Sequence, residues 1–148
     1  MNILYFHSSS DLYGSDKSLL RTIKSVSSQF ENIIVCLPYD GPLVSELEKI
    51  DVQCYVFPLA VLRRTRFTTI GVFKFCFEFI YSLFKTLSII VRHDINLIHT
   101  NTSAVIVGGV ASKITNRKHL WHVREIIIAP IIIRKFIHFF LNKFSTVI

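Results

Sequence analysis

Five short apolar runs punctuate this chain: Ile3–Phe6, Ile33–Leu37, Val52–Phe57, Asn96–Thr100 and His119–Val123. Each ends in polar or turn residues, and stretches with apolar residues at helical spacing lie between them. Runs that are apolar at every position suit strands buried on both faces. Strand–helix alternation of this kind predicts a parallel sheet with helices on both faces, joined by right-handed crossovers. The expected class is therefore α/β and Rossmann-like.

After the first run, Ser15 is a candidate cap, with Asp16 in the first turn, for a helix to Gln29 through Leu19, Leu20, Ile23 and Val26. Pro38 ends the second run, Asp40-Gly41-Pro42 forms a turn, and Leu43, Leu47 and Ile50 mark a short helix. Pro58 ends the third run, and a linker over 59–69 holds Arg63, Arg64 and Arg66. Thr102 or Ser103 is the expected cap of a helix carrying Val105, Ile106, Val110 and Ile114 and closed by Asn116. Gly108-Gly109 within it would allow close packing, at a cost in helix propensity. A basic-faced helix over 131–144 and the start of a sixth strand at 145–148 complete the reading, which treats residues 1–148 as one domain.

Ile70–Val91 is the most apolar segment and is long enough to cross a bilayer. Lys74, Glu78 and Lys85 argue against a span, because each is costly at a bilayer centre. With Ser82 (or Tyr81), Ser88 and Arg92 they form a narrow polar stripe. Three readings stay open: a helix packed on the sheet and partly under a neighbour, a helix lying in a membrane surface, and a true span.

Only 18% of the 148 residues are charged while 51% are apolar, so some apolar surface is expected to be covered. The net charge of +7 suits phosphate-bearing partners such as nucleotides or anionic lipid. Nucleic acid is not expected, since no basic cluster is interleaved with aromatics. Cys36, Cys54 and Cys76 are dispersed and odd in number, which reads as small buried residues in a reducing cytoplasm. His7-Ser8-Ser9-Ser10 interrupts any signal-peptide core.

Ligands of open parallel sheets bind outside the carboxyl ends of the strands. That rule selects His7-Ser8-Ser9, Thr100-Asn101-Thr102-Ser103 and His122-Val123-Arg124-Glu125, a mix of hydroxyls, an amide and an imidazole suited to sugars. Gly14 belongs to no G-x-G-x-x-G or Walker pattern. It is either a connector or a point where a ligand approaches the first amides of the helix. His122 either bonds within its loop or faces a sugar hydroxyl or reacting centre. Arg124 and Glu125 read as an ion pair, and His99 as a core or face residue. The histidines show no ligand spacing, so neither a metal nor another cofactor is expected. Serine hydrolases and paired-carboxylate glycosidases fail for want of their motifs.

Three segments together resemble the family-four retaining glycosyltransferases of GT-B fold: Asp11-Leu12-Tyr13-Gly14-Ser15-Asp16-Lys17-Ser18-Leu19-Leu20, Asp94 through Ser103, and His119-Leu120-Trp121-His122-Val123-Arg124-Glu125. The resemblance implies the N-terminal, acceptor-side half of a two-domain enzyme whose C-terminal donor half, with its E-x7-E motif, is not in this sequence. It implies a catalytic position for His122, near the transferring sugar. It sets Gly14 and Ser15 near the donor phosphates. Ser9, Tyr13, Asn101, Thr102, Ser103, Arg124 and Glu125 would line the acceptor side. The implied partners are a nucleotide-sugar donor, a sugar or lipid-linked acceptor and an anionic membrane surface. The implied role is cell-surface polysaccharide or glycolipid synthesis at the cytoplasmic face of the membrane, without activity by this half alone. A non-catalytic scaffold of the same fold and an unrelated nucleotide binder are the alternatives.

Overall fold

The computed structural model describes residues 1–62 and 68–123, together with Phe139 and Lys143. The chain runs β1 (Asn2–Phe6), α1 (Gly14–Val26), β2 (Asn32–Leu37), α2 (Pro42–Glu48), β3 (Gln53–Val56), α3 (Thr69–Arg92), β4 (Ile95–Thr100), α4 (Val107–Thr115) and β5 (Lys118–Trp121). The strands form one parallel sheet in the order β3-β2-β1-β4-β5. The expected α/β, Rossmann-like class is what the chain adopts.

Side chains alternate across the sheet, and this alternation sorts the core into two layers. Ile3 and Tyr5 of β1 face Leu19 and Ile23 of α1 and Leu43 and Leu47 of α2. Leu4 and Phe6 face Ile89 and Ile90 of α3 and Val107 and Ala111 of α4. The chain first winds outward to β3, then crosses back over β2 and β1 to form β4. The order therefore reverses between β1 and β4, the topological switch point at which α/β sheets hold ligands.

Helix boundaries differ from expectation where caps decide them. Tyr13, not Ser15, is the N-cap of α1, and Ser27–Gln29 is a separate 3-10 turn. Ile106 precedes α4, while the Thr102 hydroxyl accepts a bond from the Ala104 amide within the preceding loop. Asn116 closes α4 in the left-handed conformation that asparagine tolerates. A Cβ on Gly108 would lie 2.5 Å from Thr100 Oγ1 and 2.9 Å from Phe6 Cδ2, so α4 sits tight against the ends of β1 and β4. Cys36 is buried, but Cys76 is exposed on α3, because the face that carries it points away from the sheet.

Helix α3 turns one side to the core, where Phe79, Leu83 and Leu87 also pack, and leaves part of its apolar surface outside. Ser82, Thr86, Ile89 and Ile90 are buried, whereas Phe73, Phe77 and Phe84 are 75%, 77% and 69% exposed. The polar stripe is split by this rotation: Ser82 goes inward, Glu78 is half-buried, and Lys74, Lys85, Ser88 and Arg92 stay out. Among the described residues, no helix is long and apolar enough to cross a membrane. The Arg63–Arg66 cluster, Arg124, Glu125 and the sixth strand lie outside the described residues. Of the helix expected over 131–144, the described residues are Phe139 and Lys143. Both are helical, and the Lys143 ammonium lies 5.2 Å from the centre of the Phe139 ring.

Candidate functional site

The carboxyl ends of β1 and β4 meet through one buried polar chain. Asp16 sits at the third position of α1, where its carboxylate accepts the Tyr13 amide at 2.8 Å and offsets the positive helix end. Its other oxygen is 2.6 Å from His7 Nε2 and 2.6 Å from the Ser9 hydroxyl. On the far side of the ring, His7 Nδ1 lies 3.2 Å from Asn101 Nδ2. A neutral imidazole that donates from Nε2 to the carboxylate and accepts at Nδ1 from the amide satisfies every partner. All three residues are almost fully buried. A dry, fully paired network of this kind holds its members in one geometry. It ties the start of α1 to both strands that flank the switch point.

Backbone contacts extend this floor. The Asn101 amide donates to Phe6 O at 2.9 Å, and the His122 amide donates to Thr100 O at 2.9 Å. Trp121 Nε1 donates to Thr102 O at 2.7 Å, and His119 Nε2 lies 2.9 Å from Thr100 Oγ1. On the other side, Ser10 O accepts the Leu43 amide at 3.0 Å and the Ser10 hydroxyl donates to Tyr39 O. The loop after β1 is thereby docked onto the turn before α2. Leu12 holds a φ of 66°, a strained value for a branched side chain, within this docked loop.

Two hollows flank the floor. One of about 250 Å³ opens at the ends of β2 and β3, between Pro38, Tyr39, Pro58, Leu59 and Glu78. The other, about 310 Å³, lies against Leu120, Trp121, His122 and Val123 at the end of β5.

The residues anticipated for the site divide by exposure. Tyr13 is 71% exposed at the rim, beside exposed Gly14 and Ser15, with Ser9 half-buried below. His122 is exposed beyond β5, its ring 6.0 Å from that of buried His99, which also meets the Tyr5 ring at 4.8 Å. Asn101, Thr102 and Ser103 are buried and turned into the floor. Arg124 and Glu125 lie outside the described residues. His7, expected to line the crevice, lies beneath it, and Asp16, expected only as the first-turn acid of α1, is its partner. The available signal was a histidine at a strand end followed nine residues later by an acid at a helix start. Among the described residues, no three His, Cys, Asp or Glu side chains gather as a metal site would require.

The comparisons with known proteins fall on this geometry. No protein-family profile matches the sequence, and no curated protein matches it. Solved structures do match. HepE from Anabaena, crystallised with UDP, superposes with a TM-score of 0.72 at 22% identity, covering 99% of this chain and 37% of its own. MurG from Acinetobacter baumannii gives 0.69 at 12% identity over 99% of this chain and 40% of its own. A glycosyltransferase from Rickettsia africae gives 0.62 at 21% identity over 91% and 32%. The chain thus has the fold of one domain of GT-B glycosyltransferases and spans a little over a third of the length of HepE.

Proposed function

We propose that this chain is the N-terminal, acceptor-side domain of a retaining glycosyltransferase of the family-four kind. In this reading it works with a second domain that holds the nucleotide-sugar donor. The observation that carries the reading is the His7–Asp16–Asn101 floor at the switch point, set in a fold that HepE uses in complexes with UDP and UDP-glucose. Above that floor, exposed Tyr13, Gly14 and Ser15 face the donor phosphates across the cleft, and His122 stands by the transferring sugar. Ser9 and the Asn101–Ser103 turn shape the acceptor side. Retaining transfer needs stabilisation of an oxocarbenium-like centre and of a departing diphosphate. The donor domain supplies most of the second, so this chain alone is inactive.

The acceptor is a sugar or lipid-linked sugar of polysaccharide or glycolipid synthesis, met at the cytoplasmic face of a membrane. The exposed Phe73, Phe77 and Phe84 with flanking Lys74, Lys85 and Arg92 support this, as an apolar and basic helix face suits an anionic bilayer surface. The test is release of UDP from UDP-sugars by the purified chain, with and without a GT-B donor domain. Turnover only in the combined sample, lost in His122→Ala, is the expected result. Turnover by this chain alone, or full activity in His122→Ala, overturns the reading.

A further inference from the structure

A second polar site lies at the other end of the molecule. Edge strand β3 and the last two turns of α3 enclose a cavity of about 80 Å³ lined by Tyr55, Lys85, Ser88, Ile89 and Arg92. The amino ends of the strands are its neighbours, since the Asn2 side chain at the start of β1 donates to the His93 carbonyl that ends α3. Ile89 is buried and forms the base. Lys85, Ser88 and Arg92 recur at three and four residues, so they share one line of the helix. Lys85 and Arg92 are two turns apart, about 10 Å along the axis, and both side chains are long enough to converge over Ser88. Tyr55 is held at the opposite wall, its hydroxyl 2.7 Å from His93 Nε2 and 3.3 Å from Gln53 Nε2.

Neither cation has an ion-pair partner among the described residues. The acid nearest to Arg92 in sequence, Asp94, lies 3.2 Å from Arg117 instead. Two like charges beside one small cavity, with the Ser88 hydroxyl between them on the helix, form a donor-rich site. The cavity of about 80 Å³ has room for a phosphate group beside the two cations. A guanidinium fork, an ammonium and a serine hydroxyl match the several acceptors of a phosphate better than the two of a carboxylate.

We propose that the cavity between β3 and the end of α3, formed by Tyr55, Lys85, Ser88 and Arg92, binds a phosphate group. The phosphate belongs either to a free anion or to a lipid headgroup, since the exposed Phe84 and Val91 of α3 lie alongside. The site is separate from the switch-point cleft, so it stands or falls independently of sugar transfer.

The experiment follows the backbone amides of Ser88, Ile89 and Arg92 by NMR on titration with inorganic phosphate. Flotation of the same chain with phosphatidylcholine vesicles, with and without phosphatidic acid, is measured in parallel. Lys85→Gln and Arg92→Gln are compared with Lys113→Gln, an exposed lysine on α4. Each loss of a charge-assisted hydrogen bond should weaken binding about tenfold, while Lys113→Gln changes little. Saturable shifts in inorganic phosphate that Arg92→Gln weakens identify a free-phosphate site. Flotation on phosphatidic acid that Arg92→Gln reduces, without saturable shifts in inorganic phosphate, identifies a headgroup site. No shift at these amides, combined with equal flotation of Arg92→Gln and Lys113→Gln, overturns the proposal.

Discussion

Asp16 is a buried junction between the start of α1 and the loop after β1. Its two oxygens take three hydrogen bonds, from the His7 ring, the Ser9 hydroxyl and the Tyr13 amide, without contact with water. Asp16→Ala would remove the acceptor of the buried His7 Nε2–H and of the Tyr13 amide, at about 1–3 kcal/mol for each buried donor left without it. Asp16→Asn keeps one acceptor oxygen and should lose less. Urea unfolding of both variants checks this, with a loss below 1 kcal/mol for alanine as the contrary outcome. Gly14 makes the opposite case. A Cβ there meets nothing within 4 Å, so the fold itself does not require glycine at this position. Gly14→Ala should raise stability by about 0.5–1 kcal/mol, because glycine gives up more freedom on entering a helix. A fall in the urea midpoint would reveal a demand on this backbone that its geometry does not show.

At the scale of elements, α3 explains why periodicity misleads. Its buried line contains Ser82 and Thr86, whose hydroxyls have no hydrogen-bond partner among the described residues, while three phenylalanines face outward. The same inward side carries Phe79, Leu83, Leu87, Ile89 and Ile90, so hydropathy alone does not fix the rotation of the helix. Small side chains are favoured inward because α3 packs closely on α4, which itself presses on β4 and β1 through Gly108. Two dry, unpaired hydroxyls should be dispensable. Thr86→Val conserves shape and removes the desolvated group, so it should stabilise the chain by about 1 kcal/mol. Thermal unfolding checks this, and a Tm lowered by several degrees would mean that the hydroxyl is paired in solution.

For the whole molecule, the layered architecture was legible because strand bodies such as Ile3–Phe6 and Ile33–Leu37 are apolar at every position and end at polar breaks. The rule that ligands sit at strand ends then brought His7, Asn101 and His122 to one edge of the sheet without any motif. Which of them face the cleft was not legible. That depends on the loop from His7 to Tyr13, where Leu12 turns through a positive φ and folds Asp16 beneath the surface. Such a path leaves no period in the sequence. The same layered core has a further consequence at high pH. Burial raises Tyr5 from an ordinary 10.0 to about 12 and Cys54 from 9.0 to about 12, and it holds the Cys36 thiol well above its ordinary range. All three sit on β1, β2 and β3, and all three are neutral when protonated. Below the unfolded-state values both states keep these protons and no stability is lost. As pH rises from about 9 toward about 12, the unfolded chain ionises first and is favoured. Thermal unfolding followed from pH 8 to pH 11 should show a Tm that holds up to about pH 9 and then falls progressively. Tyr5→Phe and Cys36→Ala should each flatten that fall, after allowance for their different starting stability. A Tm that stays level to pH 11 would mean that water reaches these strands of the sheet.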